Sequence, residues 1–254
     1  MQILISPAKT MTGNSPVKAP FGTLPRFEKN ASEIALQMAQ FTAEELRRMF
    51  KLSPKLALET YRRFQDFHTE DIPKLQALLA YTGVVFKHIR PHDFTDDDFK
   101  FAQAHLRIAS FCYGLLKPMD RIKPYRMEPD IKLPELTEGN MYTYWRPRET
   151  QTLLEDVKND DNTLIYLASM DIQPTFDWKK IKQSLRVVTP EFKIWKNGKI
   201  KTIVIYAKMA RGEMTRYIIK NRIRNPEELK AFSWEGFRYN DSLSHKDTWV
   251  FLQE

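Results

Sequence analysis

Residues able to hold an anion cluster in two stretches of the chain. The first is Tyr113-Gly114-Leu115-Leu116-Lys117-Pro118-Met119-Asp120-Arg121-Ile122-Lys123-Pro124-Tyr125-Arg126-Met127-Glu128, where cations and tyrosines alternate with apolar anchors after a glycine. The second runs from Tyr206 to Ile223 and carries Lys208, Arg211, Arg216 and Lys220. Lys9 joins them because a lysine just after a buried strand can reach into a cleft at the strand's end. Lys and Arg meet phosphate through charge-assisted hydrogen bonds that fix position without reading bases. The pattern therefore predicts phosphate contact by Lys9, Lys117, Arg121, Lys123, Arg126, Lys208, Arg211, Arg216 and Lys220. For either block alone, a solvated surface is the plain alternative.

Other chemistries lack their residues. Neither G-x-G-x-x-G nor G-x-x-x-x-G-K-[ST] occurs, and Ser6-Pro7-Ala8-Lys9-Thr10 has no glycine to let backbone amides wrap a phosphate. His88 and His92 stand four apart with Asp93 beside them, but Pro91 interrupts any helix that would align the two imidazoles. With five histidines and one cysteine in the chain, no metal and no cofactor is expected. Cys112 follows an apolar stretch, has no recognisable histidine partner, and reads as a buried inert thiol.

Charge supports an anionic partner through its distribution. Forty Lys and Arg against 32 Asp and Glu give a formal charge of +8. Lys193 to Lys230 alone holds 11 cations and three acids, a surplus equal to that of the whole chain. Such segregation can place a positive field on one side of the molecule. The single cysteine fits a reducing compartment. No apolar run suits a bilayer and the first residues lack a charged leader, so a cytoplasmic protein without a membrane partner is expected.

The elements that must position these residues follow from pattern. Ile3-Leu4-Ile5 is a short buried strand entering a loop at Ser6, where Pro7 blocks ladder pairing. From about Asn30 to Phe67 the chain is helical in two or three pieces, punctuated by Thr42 and by Ser53-Pro54, an N-cap followed by proline at the first helical position. Thr95 caps another helix with Asp96, Asp97 and Asp98 in its first turn, and Phe99, Ala102, Leu106, Ala109 and Tyr113 share one face. Gly114 ends that helix and Lys117-Pro118 turns the chain into a basic return from Asp120 to Arg126. Thr163 to Leu167 is a second buried strand.

Strands Phe192 to Trp195 and Ile200 to Tyr206 flank Asn197-Gly198, a strong hairpin signal. After Gly212 a helix spans Glu213 to Arg224, with Met214, Tyr217, Ile218 and Asn221 inward and Arg216, Lys220 and Arg224 on another face. Lys208 and Arg211 would then stand at a strand–helix junction, where helix N-terminal amides add to their pull on an anion. The mixture predicts an α/β or α+β sheet protein, one domain over residues 1–254, without regular βαβ alternation.

These same stretches resemble the YaaA family of bacterial peroxide-stress proteins. The resemblance is carried by Ile3-Leu4-Ile5-Ser6-Pro7-Ala8-Lys9-Thr10-Met11, by Tyr113 to Asp120 with Pro124 to Glu128, and by Tyr206-Ala207-Lys208-Met209-Ala210-Arg211-Gly212. Tyr217 to Arg222 and Glu235-Gly236-Phe237 continue it over the whole chain. It implies an irregular mixed sheet surrounded by helices, a helix-hairpin-helix-like element, a basic cleft, and binding to duplex or branched DNA. It further implies peroxide resistance through restraint of free intracellular iron. The hairpin element is placed at Phe99 to Arg126, with Leu115-Leu116-Lys117-Pro118 at its turn. Met170 to Thr175 and Phe111-Cys112 depart from the family pattern.

Two functions are compatible with this reading. The favoured one is a non-enzymatic, monomeric DNA-binding stress protein with weak sequence preference. The other is an enzyme acting on an anionic metabolite or nucleotide, with Lys9, Asp120, Arg126, Glu128, Lys208 and Arg211 gathered in the cleft. A closed pocket of about 300–1,000 Å³ would favour the enzyme, and an open channel the duplex. No Cys, His and carboxylate cluster has ligand spacing for iron, so any effect on iron is expected to be indirect.

Overall fold

The computed structural model describes residues 1–254. In chain order its strands are β1 (Gln2–Ile5), β2 (Leu75–Gln76), β3 (Leu106–Ile108), β4 (Arg121–Ile122), β5 (Thr163–Tyr166), β6 (Arg186–Lys196), β7 (Lys199–Lys201), β8 (Ser233–Trp234), β9 (Phe237–Tyr239) and β10 (Thr248–Gln253). Its helices are α1 (Glu28–Met38), α2 (Ala43–Phe50), α3 (Pro54–Gln65), α4 (Ala77–Ala80), α5 (Val84–Ile89), α6 (Asp96–His105), α7 (Met141–Lys158), α8 (Trp178–Ser184) and α9 (Val204–Lys220). No helix is long and apolar enough to cross a membrane.

Eight strands make one mixed sheet in the order β3-β1-β5-β6-β10-β9-β8, with β7 on β6, while β2 and β4 pair separately. β3, β1, β5, β6 and β10 run parallel; β7, β8 and β9 are antiparallel to their neighbours. β1 and β5 are buried at every residue, as expected of parallel strands covered on both faces. Counted by their order along the chain, the parallel strands lie second, first, third, fourth, fifth. In doubly wound sheets this order opens a ligand crevice at the carboxyl ends of the first and third strands, which are β1 and β5.

Local chemistry fixes the helix starts. Thr42 and Thr95 each form a capping box, with Glu45 and Asp98 respectively, and the Ser53 hydroxyl accepts from the Leu56 amide ahead of Pro54. At Asn197-Gly198 both residues have positive φ, 55° and 70°, and close the β6–β7 hairpin.

Three expectations are corrected. The helix begun at Thr95 ends at His105 and passes directly into β3, because Leu106 and Ile108 pair with Ile3 and Ile5 at the sheet edge. Their apolar positions fit a strand as well as a helix, and the pairing decides. The segment Phe99 to Arg126 therefore holds one helix, two short strands and turns, and no helix follows His105 until Met141, so a helix pair is not formed there. The compact helix pair is α2–α3, joined by Lys51-Leu52-Ser53 with Lys51 left-handed at φ 51°.

The third correction is to α9. β7 stops at Lys201 and the helix starts at Val204, so Lys208 and Arg211 lie inside it rather than at a strand–helix junction. Gly212 is mid-helix, where it meets α5: a Cβ there would run into the Val85 carbonyl oxygen and stand 2.6 Å from the His88 Cβ. Replacing a helical glycine by alanine ordinarily gains about 1 kcal/mol of helix propensity. Here overpacking, about 1–3 kcal/mol, should exceed that gain, so Gly212→Ala is expected to lower the urea midpoint. A raised midpoint would show that the helices can separate at no cost.

Candidate nucleic-acid interface

The crevice expected from strand order is present. A cleft of about 860 Å³ opens over the carboxyl ends of β1 and β5, bounded by Ser6–Thr10, Ser169, the start of α5, the 125–130 segment and α9. The two strand ends are tied by Ser6, whose hydroxyl accepts from the Ser169 amide at 2.8 Å and lies 3.1 Å from the Ser169 hydroxyl. Tyr125 reaches the cleft from a buried hydroxyl chain, 2.6 Å from the Tyr81 oxygen and 2.7 Å from that of Ser110. Burial pushes both phenols up, which keeps them protonated at neutral pH.

Both signs of charge line the cleft: Lys9, Arg126, Lys208 and Arg211 against Glu128, Asp130 and Asp171. Its volume falls in the range of small-molecule sites. Lys9 and Arg126 share Glu128, at 2.8 and 3.3 Å. Lys208 and Arg211 make no side-chain hydrogen bond or ion pair, and the Arg211 Nε is buried without an acceptor. Burial is the main influence on Arg211 and lowers its affinity for a proton, with Tyr166, Asp171 and Glu191 opposing. Phe111, Asp171 and Ile172, from the two stretches that depart from the family pattern, line the same cleft.

The remaining predicted cations lie elsewhere. Arg216 and Lys220, on the other stripe of α9, pair with Asp93 and Asp98, the latter at 3.0 Å. Lys123 is buried and donates to the carbonyls of Phe67 and Thr69 at 2.7 and 2.6 Å. Arg121 is exposed near Lys123 beside α1, and Lys117 is half-buried, lowered by burial and by Arg107. Asp120 stands outside the cleft: it is buried, accepts from the Lys117 amide at 2.8 Å and the Thr23 hydroxyl at 2.7 Å, and is raised by burial. His88 bonds Glu213 at 2.9 Å in the α5–α9 contact, and Cys112 is buried with its thiol pushed up.

Sequence reasoning missed a second set. Along α3, Lys55, Arg62, Arg63 and Lys123 line a hollow of about 410 Å³ with Glu59 and Asp66. Lys55 and Arg62 are exposed and unpaired. Arg63 reaches the carbonyls of Met11 and Tyr125, and Arg126 reaches that of Lys9, so this hollow adjoins the cleft. Just before Thr202, which lines the cleft, the β6–β7 hairpin exposes Lys196, Lys199, Lys201 and Trp195, the last 52% exposed. The α3 cations recur at helical spacing, which was legible, but their meeting with Lys123 is purely tertiary.

The chain matches the family model for peroxide stress protein YaaA over residues 1–243. It belongs to the YaaA family. A UPF0246 protein of Parabacteroides distasonis is 65% identical over 254 residues, covering all of both chains. A UPF0246 protein of Bacteroides thetaiotaomicron is 54% identical over 99% of this chain and 98% of its own. One from Teredinibacter turnerae is 38% identical over the full length of both. In this YaaA-family chain, as expected from the resemblance, a mixed sheet is flanked by helices.

The acid sensitivity of the α6–α9 contact follows from Asp98. Burial alone would raise its carboxyl, but the Thr95 amide, Arg222 and Lys220 outweigh this and hold it at about 2. A depressed folded-state value means that its stabilisation is complete above the ordinary carboxylate value of about 3.9 and is lost as pH falls through about 2. The difference in urea midpoint between wild type and Asp98→Asn should therefore be largest near neutrality and shrink through that window. A pH-independent difference would exclude the carboxylate charge as its source.

Proposed function

We propose that this YaaA-family chain binds duplex or branched DNA through its phosphates, in a band running from the α2–α3 hairpin past the cleft mouth to the β6–β7 hairpin. The observation that carries this reading is the set of exposed cations without partners on the protein: Lys55 and Arg62 on α3, Lys208 at the cleft, and Lys196, Lys199 and Lys201 on the β6–β7 hairpin. In this reading α2–α3 is the helix-hairpin-helix-like element and Trp195 offers a surface on which an exposed base can stack. A duplex lies across the cleft, which is too small to admit it.

The peroxide-stress role of the family is served, in this reading, through charge. DNA gathers mobile cations, ferrous ions among them, and iron held there turns hydrogen peroxide into hydroxyl radical beside the bases. Fixed protein cations release that atmosphere, so a covered duplex holds less iron. This reading limits damaging iron at the DNA without a protein-bound metal.

Fluorescence anisotropy against salt tests the band. Wild-type affinity should fall with a log–log slope of about −0.9 per phosphate contact and differ little among unrelated duplexes. The double variant Lys55→Ala, Arg62→Ala should flatten the slope by about two units. Its thermal midpoint should hardly move, since both side chains are exposed and unpaired. No duplex or junction binding at low salt, or an unchanged slope in the folded variant, would overturn this assignment.

A further inference from the structure

We propose that the cleft over β1 and β5 binds a nucleoside 5′-monophosphate, with the phosphate on Arg211 and Lys208 and the base against Phe111 and Tyr142. This goes beyond the DNA band and does not depend on it. The anion is argued from α9 itself. That helix places Arg216 and Lys220 on protein carboxylates, yet leaves Lys208 and Arg211, three residues apart on the other stripe, with none. Arg211 is half-buried, and its Nε is shut away from solvent with no acceptor. The Nε of Arg126, another residue of the cleft lining, is also buried without an acceptor, while its other nitrogens reach Glu128 and the Lys9 carbonyl. The unpaired Arg211 guanidinium beside the cleft is suited to an anionic acceptor.

Two unpaired cations match the double charge of a phosphomonoester better than a single carboxylate, and the arginine fork suits two phosphate oxygens. The rest of the cleft is suited to a flat, polar-edged body. Phe111 and Tyr142 pack edge to face with ring centres 5.6 Å apart, and Met127 and Ile172 extend that apolar wall. Glu128 and Asp130 offer acceptors for ribose hydroxyls or amino groups at its edge. The position is also where ligands settle in sheets of this strand order, outside the carboxyl ends at the point where the order reverses. A volume of about 860 Å³ leaves room for one nucleotide.

Titration calorimetry with adenosine 5′-monophosphate, and with adenosine as the uncharged control, tests the inference on the full chain. The wild type should bind the monophosphate at least about tenfold more tightly than adenosine. Arg211→Met should weaken monophosphate binding by about tenfold or more without lowering the thermal midpoint, since it removes a half-buried charge that has no partner. Lys208→Gln changes an exposed, unpaired residue; it should also weaken binding, and it serves if Arg211→Met fails to fold. No binding by wild type at millimolar ligand, equal binding of adenosine, or wild-type affinity in a folded Arg211→Met or in Lys208→Gln would overturn the proposal. Duplex anisotropy on the same samples separates the two readings: retained duplex binding without monophosphate binding removes the pocket and leaves the band, and the converse removes the band.

Discussion

The close crossing of α9 over α5 is the constraint on which the functional surface depends. Gly212 lets the two helices approach until backbone meets side chain, and Glu213 is buried there between His88 at 2.9 Å and Arg90 at 2.8 Å. A buried carboxylate without those partners would be strongly destabilising, so the pairings set the rotation of α9 about its axis. Once that rotation is fixed, residues three and four apart fall into two stripes. One stripe carries Arg216 and Lys220 onto Asp93 and Asp98; the other carries Lys208 and Arg211 to the cleft. Whether a cation on α9 is engaged or free is decided at that crossing.

The sheet supplies the other half of the geometry. Because β1 lies between β3 and β5, its outgoing loop and that of β5 diverge around a crevice, and the Ser6–Ser169 contact holds the two rims together. Lys9 is carried to the rim by β1 and engages Glu128. The cleft is thereby framed by the sheet and charged by α9, and the hollow along α3 adjoins it through Arg63 and Arg126.

What the sequence revealed and concealed follows from the range of each interaction. Ile3-Leu4-Ile5, the caps at Ser53 and Thr95, and the Asn197-Gly198 hairpin are determined by neighbours a few residues away, and each was legible. Leu106-Arg107-Ile108 and Val204-Ile205-Tyr206 were not. The first satisfies both periodicities and is drawn into the sheet by β1; the second is β-branched at Val204 and Ile205, yet helical because α9 packs on α5. The cations were legible as a list and not as a site. Nothing in the spacing of Arg216 and Lys220 discloses that carboxylates more than 120 positions earlier neutralise them. Nor does it bring Lys55 and Arg62 beside Lys123.

The central claim is that tertiary pairing divides the cations into a neutralised set and a free set, and that only the free set meets DNA phosphates. Arginine Nε–Hε NMR spectra, recorded while a 12-base-pair duplex is added at low salt, read that division directly. Arg62, on the proposed band, should shift and broaden on addition of duplex, whereas Arg216 and Arg222, held by Asp93 and Asp98, should remain in place. Shifts confined to Arg216 and Arg222, or a titration in which Arg62 does not move, would contradict the account.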